Sequence, residues 1–206
     1  MFRKFKVLIV IASLAITLSL MSNTYSRYVA SSQGNVEIEF AKWQLLVNTT
    51  DITNGANSNI SFTPTIDTNN SNVAENKVAP ASTGYFDIEI DPTNVDVSFN
   101  YTIKLGIQNN ENIPDLMITK YAIVPEEYLE GDKLTEVTIT DGIITNAMNY
   151  TSGGFNKFTI RVYFQWFEGE GESMDDTADT SVGYTAATES TTFTINANIE
   201  FEQIIS

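Results

Sequence analysis

The chain has 206 residues, of which 42% are apolar, enough for one well-formed core and typical of a folded protein. It contains no His and no Cys, which excludes a Ser-His-Asp triad, a Cys-His pair, a His-ligated catalytic zinc and a disulfide framework. Its 26 acidic and 11 basic residues give a net charge of −15, which argues against partners such as nucleic acid or anionic lipid.

Residues 1–26 have the pattern of a signal peptide. Three basic residues precede an uninterrupted run of apolar and small residues, Val7–Met21, which is shorter than the roughly 20 residues that span a bilayer comfortably. We predict cleavage between Ser26 and Arg27, with a cut after Ser31 as the second choice. The protein would then be secreted and would meet the membrane only before cleavage. An uncleaved membrane anchor is the alternative.

After this segment, apolar residues alternate with polar ones, as on strands that bury one face. Two sets of alternating apolar residues follow one another, the first on even-numbered and the second on odd-numbered positions. This change of phase predicts a β-bulge or a strand that changes sheet at residues 41–42. The sets are Val36, Ile38 and Phe40, and then Trp43, Leu45 and Val47. Residues 48–59 are turn-like, and a short strand at 60–62 is predicted to end at Pro64.

The longest alternating segment is 95–107, VDVSFNYTIKLGI, with seven apolar residues on one face. A shorter strand, Phe86–Ile90, precedes it across Asp91–Asn94, so we predict that the two strands form an antiparallel hairpin. The turn at 78–84 leads into this pair, and Ala81 stands there where a glycine would be more usual.

The second half of the chain continues the all-β pattern. We predict strands at 116–124, 134–140, 142–149, 158–166 and 193–201, with a helical turn allowed at 125–133. Residues 168–189 are predicted to form an acidic loop, and no amphipathic helix is expected. About nine strands indicate a single domain over 36–206. We expect a two-sheet antiparallel sandwich, jelly-roll-like, with an immunoglobulin-like sandwich as the alternative.

Several segments in order resemble one family. They are SRYVASSQGNVEIEFAKWQLLVN after the apolar run, VAPASTGYFDIEIDPTNVDVSFNYTIKL, the strand that ends at Trp166 before DDTADTSVG, and the last strand closing on FEQ. Together they resemble the TasA/camelysin (CalY) family of Gram-positive exported proteins, which are processed by a SipW-type signal peptidase. The resemblance implies a jelly-roll subunit of extracellular matrix or biofilm fibres, with itself and related matrix proteins as partners.

In such fibres the N-terminal segment of one subunit pairs as a strand with the next subunit, which here makes residues 27–35 a candidate donor strand. Strand addition satisfies the unpaired N–H and C=O groups of an exposed sheet edge. The apolar side chains available are Tyr28, Val29, Val36, Ile38 and Phe40. Pairing of 36–40 inside its own domain, as an ordinary first strand, is the alternative.

Enzymatic activity is not expected. Proteins of the camelysin type have been described as metalloproteases, but this chain has no imidazole to bind a catalytic zinc. Asp179-Thr180-Ser181 lacks the Gly of an aspartic-protease loop, and no pair of carboxylates is set apart for glycoside hydrolysis.

The acidic segment 168–189 raises the question of calcium, because oxygen ligands suit Ca²⁺. Asp175, Asp176 and Asp179 are the calcium candidates. A solvated acidic loop that limits aggregation explains the same residues, so no cofactor is predicted.

A second class of function stays open: a monomeric, secreted binding module that recognises a cell-wall polymer or a surface partner through its loops. Its signature would be loop aromatics, and Tyr128, Tyr150 and Tyr184 are the candidates.

Overall fold

The computed structural model describes residues 2–22, 37–54, 60–67, 72–108, 113, 115–168, 176–189 and 191–205. The chain divides into two compact units, residues 1–39 and 40–206. In the first unit, helix α1 runs from Phe2 to Ser22. Of the helices that the structure describes, none is long and apolar enough to cross a membrane.

The second unit contains ten described strands and one helix, α2, at Asp176–Thr188. The strands are β1 Trp43–Val47, β2 Thr50–Asp51, β3 Thr65–Ile66, β4 Thr83–Val95, β5 Phe99–Gln108, β6 Leu116–Val124, β7 Glu136–Thr138, β8 Ile143–Met148, β9 Phe158–Trp166 and β10 Thr194–Gln203. This is an all-β protein with two antiparallel sheets, as the sequence predicted.

The large sheet has the strand order β2-β1-β4-β9-β6-β7, and β3 also pairs with β4. Strand β9 pairs with one edge of β4. The other edge of β4 pairs with β3 near the start of β4 and with β1 near its end. The small sheet has the order β10-β5-β8. All the described strand pairs are antiparallel.

The core lies between the two sheets. Alternate residues of the central strands point into it: Phe86, Ile88 and Ile90 on β4, Phe99, Tyr101 and Ile103 on β5, and Ile160, Val162, Phe164 and Trp166 on β9 are all buried. Burying each such side chain contributes about 1.5–3 kcal/mol. Phe99 stands at the centre of an aromatic group, with ring centroids of Trp43, Phe155 and Phe201 at 6.3, 5.0 and 5.8 Å. The sandwich is therefore held by the alternation seen in the sequence.

The predicted hairpin of 86–90 with 95–107 is wrong, because the two segments lie in different sheets. Asp91–Asn94 is not a turn but part of β4, which continues to Val95 and pairs there with β1. The chain then crosses to the small sheet over residues 96–98. Asp96 holds this crossing to Lys42 through two hydrogen bonds, its N–H to the Lys42 carbonyl at 3.0 Å and its carboxylate to the Lys42 N–H at 2.9 Å.

The predicted pair 134–140 with 142–149 is wrong for the same reason. Strand β7 pairs with β6 in the large sheet and β8 pairs with β5 in the small one. A single bridge, Thr140 to Ile143, joins the two segments. Asp141 and Gly142 have φ values of 53° and 69°, so the turn predicted at this position is present, but it carries the chain between sheets.

Two further expectations for the loops differ from the structure. The short strand lies at Thr65–Ile66, after Pro64 and not before it. Residues 125–133 form turns without a helix. Ala81 adopts a φ of 71°, a conformation that glycine reaches more easily, so the backbone at this position would suit a glycine better, as the sequence indicated.

Candidate functional site

Strand β10 is the longest open edge among the residues that the structure describes. The described sheets end at β2, β3, β7, β8 and β10, which have two, two, three, six and ten residues. Residues 194–203 all pair with β5 on one side, and no described strand lies on the other. An open edge presents a row of N–H and C=O groups, and proteins usually keep such edges short.

The core is incompletely covered next to this edge. Ile195, Ala197, Ile199 and Phe201 point inward from β10 and pack against the core, yet each is only partly buried. On β5, the partners of Ile199 and Phe201 are fully buried, whereas Leu105 and Ile107, the partners of Ala197 and Ile195, are themselves only partly buried. Apolar surface on the inner side of β10 therefore remains available to a further strand.

An apolar cleft of about 820 Å³ adjoins the start of β10. One wall comes from the β3 side of the large sheet, where Phe62 and Ile66 line it, and the floor includes Phe86 and Phe164. Phe193 and Ile195 bring the small sheet to the same cleft, and the Phe193 ring lies 5.8 Å from that of Phe164. The open edge and the cleft are therefore continuous.

The first half of β10 is uncharged. Its outward-facing residues there are Thr194, Asn196 and Asn198, whereas Glu200 and Glu202 follow in the second half. Charged side chains on an edge oppose pairing with another strand. The stretch that adjoins the cleft thus lacks that protection.

Helix α2 forms the remaining wall of the cleft through Val182 and Ala186. The prediction of a helix-free acidic loop over 168–189 is therefore wrong for 176–188. The helix has almost no apolar stripe, and its anchor is polar: Asp179, 8% exposed, accepts a 3.0 Å hydrogen bond from the indole N–H of Trp166. Asp176 and Asp179 also place negative charge in the first turn, where the helix dipole favours it.

Two of the three calcium candidates, Asp176 and Asp179, lie among the described residues. Asp175 lies outside the described residues, Asp176 is exposed, and Asp179 bonds to Trp166. The described residues contain no group of three or more acidic side chains that could hold a metal ion.

The N-terminal candidates fall in two groups. Ser26, Arg27, Tyr28, Val29 and Val36 lie outside the described residues.

Ile38 and Phe40 are described, and their side chains are 79% and 96% exposed. Residues 37–42 form no strand, so the alternative in which this segment is an ordinary first strand of its own domain is wrong for the described part.

A scan against protein-family models finds no match, and a search of curated proteins also finds none. The alternating pattern of 193–201 indicated a core strand but not that it would be an edge, since edges depend on strand order. No pattern in the sequence predicted the cleft.

Proposed function

We propose that this protein is a secreted structural subunit of extracellular matrix or biofilm fibres, as in the family it resembles. Subunits assemble when the N-terminal segment of one copy adds as a strand to β10 of the next. The observation that carries the proposal is the ten-residue open edge of β10 beside an apolar cleft.

Strand addition uses both features of the acceptor. The backbone of the incoming segment pairs with the free N–H and C=O groups of β10, and its alternate side chains face the half-covered apolar surface. Val36, Ile38 and Phe40 supply apolar groups at every second position. Glu37 and Glu39 then point to solvent, next to the uncharged half of β10, where they meet no like charge.

Processing controls the availability of the donor. Removal of residues 1–26 by a SipW-type signal peptidase frees the segment beginning at Arg27 after export. Related matrix proteins with a similar sandwich are further partners, because backbone pairing requires no particular side chains.

Electron microscopy of the mature protein at increasing concentration tests this proposal. Protein beginning at Arg27 is expected to form fibres, and the Ile38→Asp/Phe40→Asp double variant to remain monomeric, because two charges cannot enter an apolar cleft. Leu129→Asp/Ile205→Asp is the matched control, since both residues are 71% or more exposed and lie outside the donor segment; it should form fibres.

Two results would count against the proposal. A clean monomer at high concentration over a range of pH would favour the alternative function, a monomeric binding module for a wall polymer or surface partner. Normal fibres from protein beginning at Val36 would remove residues 27–35 from the donor strand.

A further inference from the structure

A second cleft lies on the outer face of the large sheet, away from the core. Its volume is about 560 Å³, and it is lined by Tyr163 of β9, by Tyr128 and by the segment from Asp132 to Glu136. Pockets of 300–1,000 Å³ are the usual size for small ligands. Tyr163 points outward because its neighbours Val162 and Phe164 point into the core.

The loop before β7 folds back over this outer face. On β6, Ala122 is paired with Arg161 of β9 on one side and with Glu136 of β7 on the other. Its side chain would be exposed if nothing covered this face of the sheet, yet it is fully buried. Arg161 contacts the loop, donating a 3.3 Å hydrogen bond to the Tyr128 hydroxyl. The cleft is thus formed between a loop and a rigid strand.

Arg161 fixes the geometry of the cleft. Its guanidinium forms two 2.9 Å bonds to the Asp87 carboxylate and lies 3.9 Å from the centroid of the Tyr85 ring. The bonds to Asp87 raise the pKa of Arg161, so it stays charged. Because Arg161 is already paired with Asp87, it supports Tyr128. A ligand in the cleft would contact the loop and Tyr163 instead of Arg161.

The walls combine two phenol rings with donors and acceptors. Asp132, Lys133, Thr135 and Glu136 supply carboxylate, ammonium and hydroxyl groups. Glu136 forms an ion pair with Lys120 at 2.6 Å, and the cleft is lined by one further acidic residue, Asp132, and by one basic residue, Lys133. Leu134 is the one aliphatic residue among the seven that line the cleft.

We propose that this cleft binds a neutral saccharide chain. A sugar ring has an apolar face of C–H groups that stacks on a tyrosine ring, and hydroxyls around its rim that both donate and accept hydrogen bonds. Aromatic walls with mixed polar groups match both properties. A polyanion would be repelled by a protein of net charge −15, and an apolar peptide would find little aliphatic surface.

This site is independent of fibre assembly, because it faces away from the core whereas the edge of β10 and its cleft border the core. A subunit could therefore bind a wall or matrix polysaccharide while it pairs with other subunits.

The test is calorimetric titration of the full secreted chain, kept dilute, with four neutral tetrasaccharides: cellotetraose, laminaritetraose, mannotetraose and N-acetylchitotetraose. We expect at least one to bind. Tyr128→Ala and Tyr163→Ala should each weaken binding about tenfold, the loss of one stacking contact. Tyr184→Ala is the matched control, since Tyr184 is 75% exposed on α2 and lies outside this cleft; it should bind like the unmodified chain.

The Tyr128→Phe variant separates stacking of the sugar on the ring from positioning of the ring by Arg161. It keeps the ring and removes the hydroxyl group that accepts the hydrogen bond from Arg161. Thermal unfolding of each variant confirms that the fold is kept, and chemical-shift changes of backbone amides locate the bound sugar. The proposal is overturned if no tetrasaccharide binds at millimolar concentration, or if binding is the same in the Tyr163→Ala variant as in the unmodified chain.

Discussion

Gly84 shows how a single residue sets the packing around the cleft of the assembly site. A Cβ atom at this position would lie 2.5 Å from the Phe164 ring and 2.7 Å from the Thr65 carbonyl oxygen. Those distances are too short for any real contact, and Phe164 is itself buried. The close approach of β3, β4 and β9 therefore requires glycine.

We predict that Gly84→Ala destabilises the protein by about 1–3 kcal/mol, because the core must shift to admit one methyl group. Gly106→Ala is the matched control, since an added Cβ there meets nothing within 4 Å. Urea unfolding of both variants measures the difference. Equal stability of the two would contradict this account of Gly84.

Two aspartates near the β1 end of the large sheet have lowered pKa values. A hydrogen bond from the Gln44 side chain is the main cause for Asp51. Burial alone would raise the pKa of Asp91, but hydrogen bonds from Thr93 and Lys157 outweigh it. Both groups therefore favour the charged form in the folded protein.

Because the pKa of these carboxylates is lowered in the folded state, they stabilise the protein at pH values above their ordinary pKa of 3.8. This contribution is lost as the pH falls through the folded-state pKa. We expect the urea midpoint to fall as the pH is lowered from about 5 through 3.8 and below. In Asp51→Asn/Asp91→Asn that fall should be smaller, because neither position titrates. An unchanged slope with pH would show that other groups cause the acid sensitivity.

At the scale of elements, the sequence determined strand positions well and strand partners poorly. Strand β9 matches its predicted range because period-two alternation reports one buried face directly. Strand β6 also matches its predicted range, although a register shift between Ile118 and Lys120 interrupts its alternation. The alternation of 95–107 passes unbroken through the crossing at Asp96, since Val95 and Phe99 both point into the same core from different sheets. Alternation carries no information on which sheet a residue joins, and for that reason the hairpin was wrong.

Helix α2 was missed for a different physical reason. Its sequence is polar on nearly every face, so no 3.6-residue stripe distinguishes it from a loop. Tertiary contacts hold it in place, through the bond of Asp179 to Trp166 and the packing of Val182 against the core. The spacing of apolar and polar residues along the sequence does not show a tertiary contact of that kind.

The polar anchor of α2 can be tested directly. Asp179→Ala should destabilise the protein by about 1–3 kcal/mol, because the indole N–H of Trp166 loses its acceptor. Asp179→Asn keeps an acceptor oxygen and should recover most of the loss, whereas Asp176→Ala, at an exposed position, should cost only a few tenths of a kcal/mol. Urea unfolding followed by tryptophan fluorescence measures all three. Equal loss in the Ala and Asn variants would show that charge, and not the hydrogen bond, is what matters.

At the scale of the whole molecule, the described residues of the second unit combine a buried core with one long open sheet edge. Most of its edges are short, and its strong negative charge opposes non-specific association. The exception is β10, whose uncharged half adjoins an apolar cleft. A molecule of this kind is expected to associate at one place and in one orientation, which generates a linear chain when the donor belongs to the neighbouring copy.

The absence of native cysteine allows the most direct test of this claim. One preparation carries Glu39→Cys in the donor segment; others carry Asn196→Cys or Asn198→Cys on β10, or Thr138→Cys on β7, an edge of the large sheet. Donor and acceptor preparations are mixed under mild oxidation, and intermolecular disulfides are measured by gel electrophoresis. Strand addition to β10 predicts crosslinks to at least one β10 position and none to Thr138→Cys, because a disulfide requires the two Cα atoms to lie within about 7 Å. Crosslinks that form equally at β7, or at neither edge, would contradict it.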